Sequence, residues 1–457
     1  MNEQVNAYFE ALRGKRVAVL GIGVSNRPLI RMLLERGVAV TACDKTPREQ
    51  LDREVLELEA AGAALRVGAA YLDGLEADVV FRTPGMHPDI PVLRELRSRG
   101  AVITSEMEAF FTVCPCAILG VTGSDGKTTT TTLIAEILRH AGHRVWIGGN
   151  IGQPLLPLAE QMMPEDLAVV ELSSFQLMSM TQSPHVAVIT NLAPNHLDVH
   201  KDMAEYIAAK ENLYLHQSAA DRVVLNLDNE ITAGFAPKVR GELRWFSRRS
   251  APERGAWFDG ETVFWDGKPV MKREDILLPG LHNVENYMAA MCAVEGYAKA
   301  EDVAAVAGSF AGVEHRIELV RVKDGVRYYN DSIASSPSRT IAGLRSFPEK
   351  VILIAGGYDK HIPYDVLGPE ICKHVKKLFL GGATGPKIRQ AVEKAPEYKP
   401  GFPEIVDCPD FTSATLAAAK AAESGDVVLM SPASAAFDQF KNFMVRGEYY
   451  KKFIKEL

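Results

Sequence analysis

Residues 122–128 read TGSDGKT, directly after the apolar run AILGV and before the helix-like stretch TTTTLIAEILRHAG. A tight glycine turn that opens a helix offers several backbone N–H groups and the positive helix end to a polyphosphate. A lysine there can reach the terminal phosphates, and a threonine hydroxyl can reach Mg²⁺. The usual phosphate loop has one more glycine, where this chain carries Val121. A plainer reading is a helix start capped by Gly, Ser and Asp. The strand before and the helix after favour ATP binding by Gly123, Ser124, Asp125, Gly126, Lys127, Thr128 and Thr129.

Downstream, GGNIG (148–152), ELSSFQL (171–177) and NLAPNHLDVH (191–200) follow in order. The last two each close an apolar strand, and ligands of an open α/β sheet gather at that edge. Glu171 and His196 are donors for a hard cation near the phosphates. A single buried Glu or His is more often structural, so their reading as ligands depends on the loop upstream. Nearer the N-terminus, LGIGVSN (20–26) is a dinucleotide fingerprint whose third glycine has become Asn26, and Asp44 stands where a ribose hydroxyl would be met. This turn fits NAD or another nucleotide-linked ligand equally well.

The elements that must position these residues are strands running into glycine turns and then helices. RVAVLGIG, VAVTACD and ADVVF form a first parallel βαβ region, with AILGV, LAVVEL, HVAVITN and RVVLNLDN as continuous apolar strands of a second. KVILIAGG, VKKLFLGG and DVVLMSPAS make a third, whose strand ends carry YYNDSIASSP (328–337), AGGYDKHIP (355–363) and SPASAAFDQFKNFMVRG (431–447). The aromatic, turn-rich text between about 240 and 275 predicts a small antiparallel section packed on the side of the second region. The fold class is therefore α/β in three domains: 1–112, 113–312 and 313–457.

A chain of 457 residues agrees with three domains at roughly 150 residues each. Its 51 basic and 58 acidic residues give a formal charge of −7, which argues against a nucleic-acid partner held by a basic field. No apolar run reaches the ~20 residues that span a bilayer, and the first residues lack the pattern of a signal peptide. A cytoplasmic enzyme is expected. The six cysteines lack metal-ligand spacing; Cys114-Pro-Cys116 is the one close pair, and free thiols are the reading.

In their order, TGSDGKT, ELSSFQL, NHLDVH, PGLHNVEN, VEHRIE and NDSIASSP resemble the Mur ligase family, ATP-dependent enzymes that join amino acids to a UDP-linked muramoyl precursor of the bacterial cell wall. The resemblance covers essentially the whole chain. It implies a Rossmann-like N-terminal domain for the UDP substrate, a central P-loop ATPase-like domain with a parallel sheet, and a Rossmann-like C-terminal domain for the amino acid. TPGMHP (83–88) and the ending most resemble members that add D-glutamate to UDP-N-acetylmuramoyl-L-alanine. In those enzymes ATP phosphorylates the substrate carboxylate, and the amine of D-glutamate displaces the phosphate.

By matching position, Lys127 and Thr128 then serve ATP and one Mg²⁺, and Glu171 and His196 hold metal. Lys210, in YIAAKENLY, matches the lysine whose carbamate ligates a second Mg²⁺; on its own it reads as the polar face of a helix. Asn283, Asn286, Arg316 and Asp331 are implied to touch ATP. Ser25, Asn26, Asp44, Thr83 and Gly85 are implied around UDP, Asn150 at the muramoyl part, and Ser335, Lys360 and Phe443 around D-glutamate. Two positions depart from the family pattern: Ile333 replaces a lysine and Ala436 a serine, and Arg339 or His361 is expected to compensate. A monomer is expected. The nearest rival, a folylpolyglutamate-type ligase, lacks a complete N-terminal nucleotide domain, and a dehydrogenase would leave TGSDGKT without a task.

Overall fold

The computed structural model describes residues 3–193, 200–360 and 362–457. They form two compact units, Met1–Arg273 with Glu285–Val306, and Glu274–Val284 with Ala307–Leu457. Two sheets lie in the first unit and one in the second.

The first sheet holds β1 (Val17–Leu20), β2 (Val40–Asp44), β3 (Ala64–Val67), β4 (Val79–Arg82) and β5 (Val102–Thr104), all parallel, in the order β3-β2-β1-β4-β5. Strands β1 and β4 are buried at every position because helices cover both faces of a parallel sheet, and such strands read as unbroken apolar runs. The edge strands β3 and β5 are half exposed and lack that signal. The chain order reverses between β1 and β4, and this switch point opens a crevice at their carboxyl ends.

The second sheet holds nine strands: β6 (Ala117–Thr122), β7 (Val145–Gly149), β8 (Leu167–Glu171), β9 (Val186–Ile189), β10 (Arg222–Asn226), β11 (Glu242–Ser247), β12 (Gly255–Phe258), β13 (Thr262–Trp265) and β14 (Lys268–Lys272). Their order is β14-β13-β12-β11-β10-β9-β6-β8-β7. Here one expectation fails. The turn-rich text near 240–275 does not pack on the side; β11 pairs in parallel with both β10 and β12 and continues the sheet, and only the pairs β12–β13 and β13–β14 are antiparallel. Arg244 hides the strand in the sequence. Its guanidinium is buried within β11, where Glu295 accepts from Nε at 2.6 Å and from Nη2 at 2.8 Å, so a core position carries a charged residue.

One apolar cluster runs through both sheets of this unit, from Phe9, Leu33 and Phe110 to Leu156, Leu177 and Leu225. The helix Glu106–Val113 joins them: Ser105 caps its start, and the buried Glu106 carboxylate accepts the N–H of Leu156 at 2.9 Å. In the second unit, β15 (Glu318–Lys323), β16 (Val326–Asn330), β17 (Val351–Ala355), β18 (Val375–Leu380), β19 (Glu404–Asp407) and β20 (Val427–Met430) lie in the order β15-β16-β20-β17-β18-β19. Only β15 and β16 pair antiparallel, and separate apolar clusters cover the sheet, one around Leu353 and Leu429 and the other around Ile354 and Met430. No helix among the described residues is long and apolar enough to cross a membrane.

Candidate active site

At the end of β6 the backbone turns through Gly123 and Gly126 into the helix Lys127–His140. Both glycines have positive φ, 149° and 79°. A Cβ on Gly123 would stand 1.9 Å from Thr190 Oγ1, and one on Gly126 would stand 2.4 Å from Asn286 Oδ1, so the close approach demands glycine. The N–H of Ser124 donates to Asn191 O at 2.8 Å and that of Asp125 to Asn191 Oδ1 at 2.9 Å. These amides build the loop against the end of β9. The first turn of that helix includes Thr128 and Thr129, and N–H groups at such positions have no acceptor within a helix and suit an anion.

Three predicted residues converge beside that turn. Glu171, at the end of β8 and only 1% exposed, accepts from Thr128 Oγ1 and from Asn150 Nδ2, each at 2.7 Å. Lys127 Nζ folds back onto the carbonyls of Gly123 at 2.9 Å and Ser124 at 2.8 Å. Lys210 arrives from the helix Met203–Glu211 and donates to Thr122 Oγ1 at 2.8 Å and to the same Gly123 carbonyl at 3.2 Å. Burial, and then the nearby Lys127 cation, push the Lys210 ammonium well below the usual lysine range, while Glu171 pulls the other way. The cluster thus gathers a carboxylate, a hydroxyl, a cation and an amine biased toward neutrality. The oxygens of Thr128 and Glu171 are hard donors that suit Mg²⁺. His196 lies outside the described residues.

Asn286 stands beside this loop and accepts from Thr130 Oγ1 at 3.2 Å. A recess of about 410 Å³ opens next to it, lined by Asn191, Asn226, Asp228, Asn229, Arg248 and Glu285 among others. Sequence reading named none of these as site residues, because Asn191, Asn226, Asp228, Asn229 and Arg248 are ordinary polar residues that close or follow strands and Glu285 is an ordinary polar residue of the helix Leu281–Val294.

At the N-terminal crevice, Asp44 closes β2 and accepts from the N–H of Ile22 at 2.8 Å and of Thr46 at 2.9 Å. Partial burial raises its pKa, but these donors outweigh that and hold it below the usual carboxylate range. Asn26 spends its amide on Leu20 O and Gly21 O, which pins the turn from inside. Thr83 packs on Gly21, where a Cβ would lie 2.8 Å from its Cγ2. Gly85 follows in the turn after β4, and Ser25 is exposed at the start of the helix Asn26–Glu35 that follows β1. Arg82, unmarked by any motif, is 1% exposed: it donates to Met86 O at 2.8 Å, Phe175 O at 2.9 Å and Ser179 Oγ at 2.8 Å, tying the TPGM turn to the second sheet.

In the second unit, burial pushes the Asp331 carboxyl up to about 7, against the pull of Ser431 Oγ at 2.6 Å and the charge of Arg316. The next residue, Ser332, donates to Phe443 O at 2.7 Å and accepts from the buried Arg446 at 3.0 Å. Arg446 also bonds the carbonyls of Ser434 and Ala435, each at 3.1 Å, and so fixes the loop after β20 that carries Ala436. Ser335 is half buried, and Lys360 is exposed on the loop after β17. Asn283 Nδ2 donates to Pro279 O at 2.6 Å. Arg339 Nη1 donates to the backbone carbonyl of Ile333 at 3.1 Å. His361 lies outside the described residues. A cluster of Glu314, His315 and Glu448 has a spacing suited to a metal, but Lys451 Nζ lies 2.7 Å from Glu314 and 3.1 Å from Glu448 and supplies the positive charge.

Residues 121–294 match the Mur ligase middle domain and residues 315–434 the glutamate ligase domain of Mur ligases. The chain belongs to the Mur ligase family. It is an ATP-dependent ligase. Curated relatives named UDP-N-acetylmuramoylalanine--D-glutamate ligase include those of Acetivibrio thermocellus, 50% identical, and Clostridium novyi, 49% identical, each alignment covering 100% of both chains. The UDP-N-acetylmuramate-alanine ligase of Thermotoga maritima has the same fold, with a TM-score of 0.58 at 16% identity over 97% of this chain and 99% of that one. A pseudomurein peptide ligase type C of Methanothermus fervidus aligns with a TM-score of 0.54 at 18% identity over 97% and 100%. The α/β architecture expected from the sequence is thus that of Mur ligases, with three domains.

Proposed function

We propose that this Mur ligase joins D-glutamate to UDP-N-acetylmuramoyl-L-alanine, with ATP converted to ADP and phosphate, as a cytoplasmic monomer. The supporting observation is the convergence of Lys127, Thr128, Glu171 and Lys210 at the edge of one sheet, in a chain about half identical over its full length to relatives of that name. The chemistry brings two anions together, a carboxylate and a triphosphate. Positioning and charge neutralisation are what the protein must supply. Lys127 leaves its loop carbonyls for the terminal phosphates, while the N–H groups of Thr128 and Thr129 hold the phosphate chain.

Thr128 and Glu171 would hold one Mg²⁺, with His196 and Lys210 contributing to a second. Bound Mg²⁺ would neutralise the charge that builds up on the phosphate oxygens. A lysine must be neutral to take up carbon dioxide as a carbamate, and burial beside Lys127 favours that form of Lys210. Asn283, Asn286, Arg316 and Asp331 are assigned to ATP, and Ser25, Asn26, Asp44, Thr83 and Gly85 to the UDP group. Asn150 orients Glu171 as well as meeting the muramoyl part. Ser335, Lys360 and Phe443 are assigned to D-glutamate, with Arg339 in place of the absent lysine. The domain bounds 1–112, 113–312 and 313–457 belong to the same proposal.

The test is ADP release with ATP, Mg²⁺ and UDP-N-acetylmuramoyl-L-alanine, offered D-glutamate, L-glutamate, L-lysine or no amino acid. ADP and a new amide should appear in equal amounts with D-glutamate alone. ADP without amide, or amide with L-lysine, rejects the assignment.

A further inference from the structure

The ligase chemistry uses none of the six cysteines, yet two of them touch. Cys114 Sγ and Cys116 Sγ are 3.5 Å apart, and either can donate to the other. Cys114 ends the helix Glu106–Val113 and is partly exposed, whereas Cys116 is 4% exposed, one residue before β6. Pro115 between them has a ring-fixed φ, so the two thiols are held together without much freedom to part. An S–S bond is roughly 2 Å long, so a gap of only about 1.5 Å separates this contact from a bond.

We propose that Cys114 and Cys116 form a reversible thiol–disulfide site that low-molecular-weight disulfides oxidise. The Cys114 thiolate attacks one sulfur of the small disulfide and expels the other half as a thiolate. Cys116 then loses its proton and attacks Cys114 Sγ in the mixed disulfide, releasing the second half. The protein loses two protons and two electrons, and one small disulfide becomes two thiols. The division of labour follows from accessibility: Cys114 can be reached from solvent, and the buried Cys116 can be reached only by Cys114. The contact supports it further, since the Cys116 thiol can donate to the Cys114 sulfur once Cys114 is the thiolate. That bond holds Cys114 below the usual thiol range; it raises Cys116, and burial adds to that rise. The ring spans a single intervening residue, so the bond should be readily reduced again.

The experiment treats the native full-length chain with oxidised glutathione, quenches by alkylation and maps the peptides by mass. The expected result is a peptide containing residues 114–116 that is lighter by two hydrogens, resists alkylation and recovers both thiols with dithiothreitol. Cys116→Ser should accumulate glutathione on Cys114, and Cys114→Ser should leave Cys116 unmodified. Cys408, also partly exposed, serves as the internal comparison. A lasting glutathione adduct on Cys114 of the native chain overturns the proposal, as does oxidation at Cys408 while the pair stays reduced, or no reaction at all.

Discussion

Lys210 carries a charge-bearing group 2% exposed, with a hydroxyl and a carbonyl as its hydrogen-bond partners. A purely structural lysine would be a costly choice there, since burial disfavours its charged form. If its carbamate ligates metal, Lys210→Ala should lower kcat by at least about a hundredfold, the scale of losing a metal-site group. Added acetate or formate should restore part of that rate by supplying the missing oxygens. Full activity without additives would reject the role. At this scale the sequence was uneven. Lys127, Thr128 and Glu171 were legible because each stands at a fixed offset from a glycine turn or a strand end. Lys210 carried no signal beyond its resemblance, since an amphipathic helix shows lysines on its wet face and only the fold turned this one inward. Arg82 and Arg446 were illegible for a related reason: a buried arginine is recognised by the carbonyls around it, and these include ones far away in sequence, Phe175 O for Arg82 and Ser332 O for Arg446.

Between a strand and a helix, the loop works only if its backbone comes close to its neighbours. Gly123→Ala would drive a Cβ into Thr190 Oγ1, which itself donates to Asp125 O at 2.6 Å. The loop would have to shift, so ATP affinity should fall by more than tenfold while the chain loses on the order of 1–3 kcal/mol. Isothermal titration and a thermal melt separate the two effects, and unchanged affinity would count against the loop as the phosphate site. The helix Glu106–Val113 makes a second prediction. Burial raises the Glu106 carboxyl from 4.5 to about 7, even though the N–H groups of Leu156 and Leu155 favour its charged form. The folded state therefore binds more protons than the unfolded one across that interval, and stability falls as pH rises from about 4.5 to about 7. Glu106→Gln should remove this slope and be the more stable form above about pH 7, by up to ~3 kcal/mol. Urea denaturation on both sides of the interval checks it; identical slopes would refute it. Elements themselves were legible where burial on both faces left an apolar run, as in β1, β8 and β17. They were not legible at the half-exposed edges β3, β5 and β19, nor in β11, where Arg244 interrupts the pattern.

The three glycine-turn regions of the sequence suggest three separable domains, but the first two sheets share one apolar cluster from Val5 to Phe235. Polar ties cross the same junction. Arg82 reaches Phe175 O and Ser179 Oγ, Arg36 pairs with Glu160, and Glu106 accepts from Leu156. Leu155, Leu156, Ala159 and Met162 belong to this shared cluster and are all essentially buried. A chain deprived of residues 1–112 would expose them together with the broken helix Glu106–Val113, a loss of apolar burial that a marginally stable domain does not withstand. All four tryptophans, Trp146, Trp245, Trp257 and Trp265, belong to the second sheet and report on what is left. The shortened chain should show weak near-ultraviolet circular dichroism, bind a hydrophobic dye and lose ATP affinity, because β6 and its phosphate loop rest on that core. A sharp thermal transition with ATP affinity intact would mean that the N-terminal sheet is an appendage. The N-terminal sheet is instead a structural half of the unit that carries the TGSDGKT loop.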